Sequence, residues 1–159
     1  MPDTNEPQNS QPPLRGETTG TPERPSRKLA APMMLFDLPA EIERLHQESG
    51  WIGGKCDGKT LVKEPDLHIV LTAMKSGTRL PQHKADARVS IQVLSGKLAV
   101  HVQTAEPAGG DQTTELTAGH LLVLERNIPH DVDALVDSAF LLTLAWPERA
   151  EDALPDRDD

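Results

Sequence analysis

Two histidines hold most of the chemical interest of this chain because of where they stand. His83 ends the stretch GTRLPQH and His130 ends RNIPH, so each follows a proline-containing turn and leads into a segment with strand character. Imidazole titrates near neutral pH, so a histidine so placed can hydrogen-bond a ligand, ligate a metal or act as general acid or base. A loop-to-strand junction in an apolar setting is also where the mouth of a small barrel holds its ligand. The other histidines read differently. His68 shares parity with Val70, Thr72 and Met74 and can face an interior, whereas His101 lies opposite Val100 and Val102 and is expected at the surface. His120, in the turn after Gly119, and His46, beside Glu43 on a short helix, are also expected to be solvated. Cys56, in GGKCDGK, reads as an exposed thiol in a polar turn; Lys55 and Lys59 stand near it, but no histidine partner is evident. The basic residues Lys63, Lys75, Arg79, Lys84 and Arg88 would favour an anionic small molecule if they lined one mouth, and otherwise form a solvated surface. Trp51, Phe140 and Trp146 read as packing residues. The chain has no P-loop, dinucleotide glycine fingerprint, G-x-S-x-G elbow or H-E-x-x-H.

The elements that must position these residues are mostly strands. One helix is expected, with Asp37 as N-cap, Pro39 in the first turn, AEIERLHQES as its body and Gly50 as its stop. Beyond it, residues 67–74, 89–94, 97–103, 120–125 and 138–146 are short runs of Val, Ile and Leu separated by turn chemistry. Those turns include Ser76-Gly77, Ser95-Gly96, Ala118-Gly119 and Asn127-Ile-Pro129. Strands so spaced, with no helices between them, predict a β-sandwich or small barrel. Val89, Ile91 and Val93 alternate with Ser90, Gln92 and Leu94, and Leu98, Val100 and Val102 with Ala99, His101 and Gln103. HLLVL and FLLTL are apolar on both faces, which calls for cover by a second sheet or a partner subunit.

The chain's 159 residues suit one domain. Residues 1–32 are Pro-rich and nearly without large apolar side chains, so a disordered tail is expected there. Residues 147–159 carry six acids and two arginines and are expected to form a flexible acidic tail, leaving 33–146 as the folded domain. A net charge of −9 argues against nucleic acid as a partner. One cysteine excludes an internal disulfide and a cysteine-based zinc cluster. No apolar run approaches the roughly 20 residues of a membrane span, and the N-terminus lacks the order of a signal peptide, so a cytoplasmic protein is expected.

The segments around His83 and His130 resemble the two motifs of the cupin superfamily. The first, G-x5-H-x-H-x3-E-x6-G, fits without a gap from Gly77 through His83 to Gly96, with Ala85 in place of the second His and Val89 in place of the Glu. The second, G-x5-P-x-G-x2-H-x3-N, matches at Gly119 and His130, with Glu125, Asn127 and Ala134 at its other positions. The resemblance spans roughly residues 67–146. It implies an all-β fold, the cupin-type double-stranded β-helix (jelly roll) barrel with a short N-terminal helix in front, commonly a homodimer. It also implies a divalent transition metal held at the motif positions, of which this chain keeps only His83 and His130.

Ala85 and Val89 share parity with Ile91 and Val93, so they are expected to turn the metal site into an apolar wall. A mononuclear site normally takes three or four protein ligands. The expectation is therefore a non-enzymatic protein that binds a small molecule in an apolar barrel cavity. Ala85, Val89 and Ile91 would be its wall and His83 and His130 its polar anchors. Two alternatives stay open. One is an enzyme, either a divergent metal-dependent one, dioxygenase- or isomerase-like by resemblance, in which a residue such as His68 supplies a third ligand, or a metal-free acid–base catalyst using the two histidines. The other is a pair of histidines satisfied by backbone or water.

Overall fold

The computed structural model describes residues 27–147, apart from 106 and 108. The tail expected at 1–32 therefore lies largely outside the described residues, as does nearly all of the acidic tail. From Leu29 onward the chain is tied to the body, because the Lys63 N–H donates to the Leu29 carbonyl at 2.7 Å.

Helix α1 spans Leu38–Gln47, and the Asp37 carboxylate caps it by accepting from the Ala40 N–H at 3.2 Å. The helix ends before Gly50, and a short second helix, α2, follows at Ser49–Gly53, where the sequence reading expected the helical signal to stop. Among the described residues nine strands follow: β1 Cys56–Lys63, β2 Leu67–Met74, β3 Arg79–His83, β4 Arg88–Ser95, β5 Lys97–Gln103, β6 Asp111–Thr117, β7 Leu121–Leu124, β8 His130–Ala134 and β9 Ser138–Ala145. They form a five-stranded sheet in the order β1-β2-β9-β4-β7 and a four-stranded sheet in the order β3-β8-β5-β6. Every strand pairing is antiparallel.

Alternation decides what fills the space between the sheets. Met74, Val89, Ile91 and Val93 from one sheet meet Leu98, Val100, Val102, Val132 and Ala134 from the other, and Phe140 joins them. A second cluster lies on the outer side of the five-stranded sheet, where α1 lays Leu45 over Leu61, Leu71 and Ala73. Leu45 is fully buried, a contribution of roughly 2 kcal/mol. This cluster answers the doubly apolar pattern of β9. Phe140, Leu142 and Leu144 face the barrel interior, while Leu141 lies under the helix side, so the cover comes from the chain's own N-terminal segment. On β7 it does not: Leu122 and Leu124 point inward, but Leu121 and Val123 are each 60% exposed at the edge of the sheet.

Lys59 locks the helix to the sheet. It is buried in β1, and its ammonium donates to Glu41 on α1, which also accepts from Arg44. The segment expected as a polar turn around Cys56 is instead the start of β1. The thiol is half-buried against the barrel core, and burial followed by the nearby Asp57 charge raises its pKa. Cys56 is thus a less reactive thiol than an exposed one.

Candidate functional site

His83 is the last residue of β3 and His130 the first of β8, and the antiparallel ladder pairs them directly across a register shift that follows Leu80. Their ring centroids are 4.3 Å apart, with the planes inclined at 58°. His130 is 2% exposed, and His83 is open to solvent. Each ring is fixed by its own turn: His83 Nδ1–H donates to the Pro81 carbonyl at 2.9 Å, and His130 Nδ1–H to the Ile128 carbonyl at 2.9 Å. A carbonyl oxygen only accepts, so the proton of each neutral ring is on Nδ1, and among the described residues neither Nε2 lone pair is engaged. Burial lowers the His130 pKa; the Ile128 carbonyl opposes this, and the neighbouring His83 adds to it. His130 is therefore an uncharged acceptor at neutral pH.

The turns at the motif positions are built on left-handed backbone. Gly77, Gly96 and Gly119 all have positive φ, and Asn127, which stands where the family has its inner glycine, takes φ 58°. Asparagine tolerates the left-handed region better than most residues, so the turn survives the exchange. The Asn127 N–H donates to the Ala85 carbonyl at 2.8 Å, which ties the turn before His130 to the loop after His83.

Val89 and Ile91 are 4% and 1% exposed within the packed core, and Ala85 packs against that core from the loop. Val89 pairs with Leu144 and Leu144 with His68, so His68 lies in the same cross-sheet row as Val89. There it meets Trp146 edge-on, with centroids 4.8 Å apart. Gln92 faces outward, and His120 is exposed and accepts from the Thr117 N–H at 3.0 Å. His46 is exposed and lies 4.5 Å from Trp51, over which Lys75 also reaches. The basic residues do not form one cluster: Lys75 is at Trp51, and Arg79 is engaged on the outer face of the four-stranded sheet.

The donor set decides whether the family's metal fits at the barrel mouth. His83 and His130 offer two nitrogens in the tautomer that metal ligands adopt, but Ala85 and Val89 offer only carbon at the other two family positions. Among the described residues, the only trio of His, Cys, Asp or Glu side chains with ligand atoms mutually within 4.8 Å is His101, Asp131 and Asp133, and it includes neither motif histidine. His68 therefore does not complete a three-ligand set with them. The residues at the mouth do not fit a resident metal of the family type.

That trio is the feature the sequence reading missed. In β8, His130, Val132 and Ala134 face inward, so Asp131 and Asp133 project from the outer face, where Arg79 of β3 and His101 of β5 meet them. Arg79 Nε and Nη2 donate to the two oxygens of Asp133 at 2.9 and 3.2 Å. Partial burial raises the Asp133 pKa, but the hydrogen bonds from Arg79 and His101 outweigh it and hold the carboxyl below its ordinary range. His101 is only half-exposed, although its expected outward direction is correct. A cleft of about 220 Å³ adjoins it, lined by Gln82, Gln103, Thr113, Asp131 and also His130.

No family model matches the chain, and no curated protein matches it in sequence. Solved structures do. A conserved protein of unknown function from Streptococcus pyogenes superposes with a TM-score of 0.55 at 20% identity, over 76% of this chain and 93% of its own. A cupin with a double-stranded β-helix fold from Methanocaldococcus jannaschii gives 0.51 at 13% identity, over 62% of this chain and 86% of its own. The oxalate decarboxylase of Bacillus subtilis, which has Mn(II) centres, gives 0.50 at 19% identity, over 57% of this chain and 24% of its own. With two antiparallel sheets closing on one core, the chain has the cupin fold. No described helix is long and apolar enough to cross a membrane.

Proposed function

We propose that this chain is a non-enzymatic binding protein that takes a small molecule at its barrel mouth, with His83 and His130 as polar anchors beside the apolar Ala85, Val89 and Ile91. One observation carries the reading: both imidazoles engage Nδ1–H with their own turns, which leaves two Nε2 acceptors on rings 4.3 Å apart. Two neighbouring acceptors suit a ligand with hydroxyl, amide or ammonium donors. An exposed ring beside a buried one suits a ligand that enters partway and is desolvated at His130. The fold itself assigns no activity.

The second reading, a divergent metal-dependent cupin enzyme, draws on the same free Nε2 pair, since metal-bound histidines use this tautomer. Ala85 and Val89 weigh against it. Elemental analysis and native mass spectrometry of untagged chain, purified without chelator, separate the two. Binding predicts a retained organic mass that His83→Ala and His130→Ala each abolish. A metal held in wild type and lost in both variants would replace this reading with the second.

The exposed Leu121 and Val123 on β7 support a further part of the proposal, that the chain is a homodimer in solution through this edge. Closed twofold dimers are the commonest assembly of chains of this kind.

A further inference from the structure

We propose that His101, Asp131 and Asp133 form a divalent transition-metal site on the outer face of the four-stranded sheet, sharing no ligand with the His83–His130 pair. The geometry is close to that of a loaded site. His101 Nε2 is 3.1 Å from Asp133 Oδ2 and 3.7 Å from Asp131 Oδ1. A tetrahedral ion with N and O ligands at about 2.0–2.2 Å needs ligand-to-ligand separations of about 3.3–3.6 Å. All three donor atoms lie within 4.8 Å of one another, on adjacent strands that hold them from opposite sides.

Asp131 Oδ1 supplies an independent reason. The atom is shielded from solvent although its side chain is 21% exposed; among the described residues it has no hydrogen-bond partner, and Arg79 and His101 reach it only as ion pairs at 3.8 and 3.7 Å. A buried acceptor without a donor is costly, and a cation between Asp131 and His101 satisfies it. Two carboxylates, already shared with Arg79, offset most of the charge of a divalent ion, and one imidazole with two carboxylates suits Zn²⁺ and its neighbours in the first transition row.

The surrounding residues are arranged for the exchange. Without metal, His101 Nε2–H donates to Asp133, and Nδ1 accepts from the Thr113 hydroxyl, 2.6 Å away. On metal binding the ring proton moves from Nε2 to Nδ1, where Thr113 Oγ1 accepts it, and the freed Nε2 lone pair takes the ion. Arg79 Nε keeps its bond to Asp133 Oδ1 and orients the carboxylate from outside, while the 3.2 Å bond from Nη2 to Oδ2 gives way to the ion. His101 and Asp131 both line the cleft of about 220 Å³, so the fourth position of the ion opens to water or a small ligand.

The test is titration of untagged full chain, stripped with EDTA and dialysed, with Co²⁺ followed by visible absorption and with Zn²⁺ by calorimetry. One ion per chain is expected. Asp131→Asn and His101→Ala should each weaken binding by at least roughly 100-fold, the upper end of what an outer-shell change costs. His83→Ala should bind as wild type does. Asp131→Asn keeps the side-chain shape, and circular dichroism checks that each variant is folded. No uptake by wild type at millimolar ion, uptake that survives Asp131→Asn, or uptake abolished by His83→Ala would each overturn the proposal.

Discussion

His83 and His130 face each other across the β3–β8 ladder with ring centroids 4.3 Å apart, and each is held by the carbonyl two residues before it, Pro81 for one and Ile128 for the other. The same turn-and-ring unit is thus built twice and brought together by strand pairing. This repetition turns two distant histidines into one pair of acceptors.

The buried member of the pair makes stability depend on pH. The folded His130 pKa lies below its unfolded value, so protons bind the unfolded chain more readily. The contribution of His130 is complete above the unfolded pKa of about 6.5 and is lost as pH falls toward the lower folded value. Denaturant midpoints should therefore drop between pH 7.5 and pH 5 in wild type, and the drop should be smaller in His130→Gln. An equal drop in both would remove His130 as its source.

Two motif glycines should respond differently to alanine. A Cβ at Gly96 would run into Ser138 and the Asp137 carbonyl, and φ there is 85°. Gly77, at φ 80°, has open space around it. Gly77→Ala should cost about 1 kcal/mol from backbone strain alone, whereas Gly96→Ala should exceed about 3 kcal/mol because the collision adds to it. Urea unfolding of the two variants measures the difference.

Helix α1 should depend on one ion pair. Glu41→Gln leaves the Lys59 ammonium, only 6% exposed, without its carboxylate, and should destabilise the chain by about 3 kcal/mol. Lys59→Met combined with Glu41→Gln should recover most of that loss, because the unpaired charge is gone. Chemical denaturation of the single and double variants checks both statements.

The two metal ligands of the cupin motif that this chain lacks can be introduced. Ala85→His with Val89→Glu should add a site for Ni²⁺ or Zn²⁺ at the barrel mouth that depends on His83 and His130. Calorimetry in an Asp131→Asn background isolates it from the outer-face trio. No gain in affinity would mean that Ala85 or Val89 does not face the pair.

How much was legible in the sequence depended on the source of the signal. Strong two-residue alternation made β4 and β5 readable, and capping chemistry made α1 readable from Asp37 and Pro39. By contrast β6 reads DQTTELT, with only Leu116 buried, because it is an edge strand of the four-stranded sheet; nothing apolar marks it. Strand β8 was hidden by Asp131 and Asp133, whose outward alternation is visible only once His130, Val132 and Ala134 are known to face inward. The positions of His83 and His130 followed from motif spacing, and the glycines kept that spacing in register. The lock on each Nδ1 was not readable, nor was the meeting of Arg79, His101, Asp131 and Asp133, which come from three strands that only the β3-β8-β5 order makes neighbours.

The most direct test of the account is side-chain ¹⁵N–¹H correlation NMR of the histidines while small donor-bearing molecules are titrated into wild type, His83→Ala and His130→Ala. The account predicts a binder that shifts the Nε2 resonances of both His83 and His130, leaves His101 unmoved, and loses affinity in each variant. A binder with equal affinity for wild type and both variants, leaving the two Nε2 resonances in place, would contradict it.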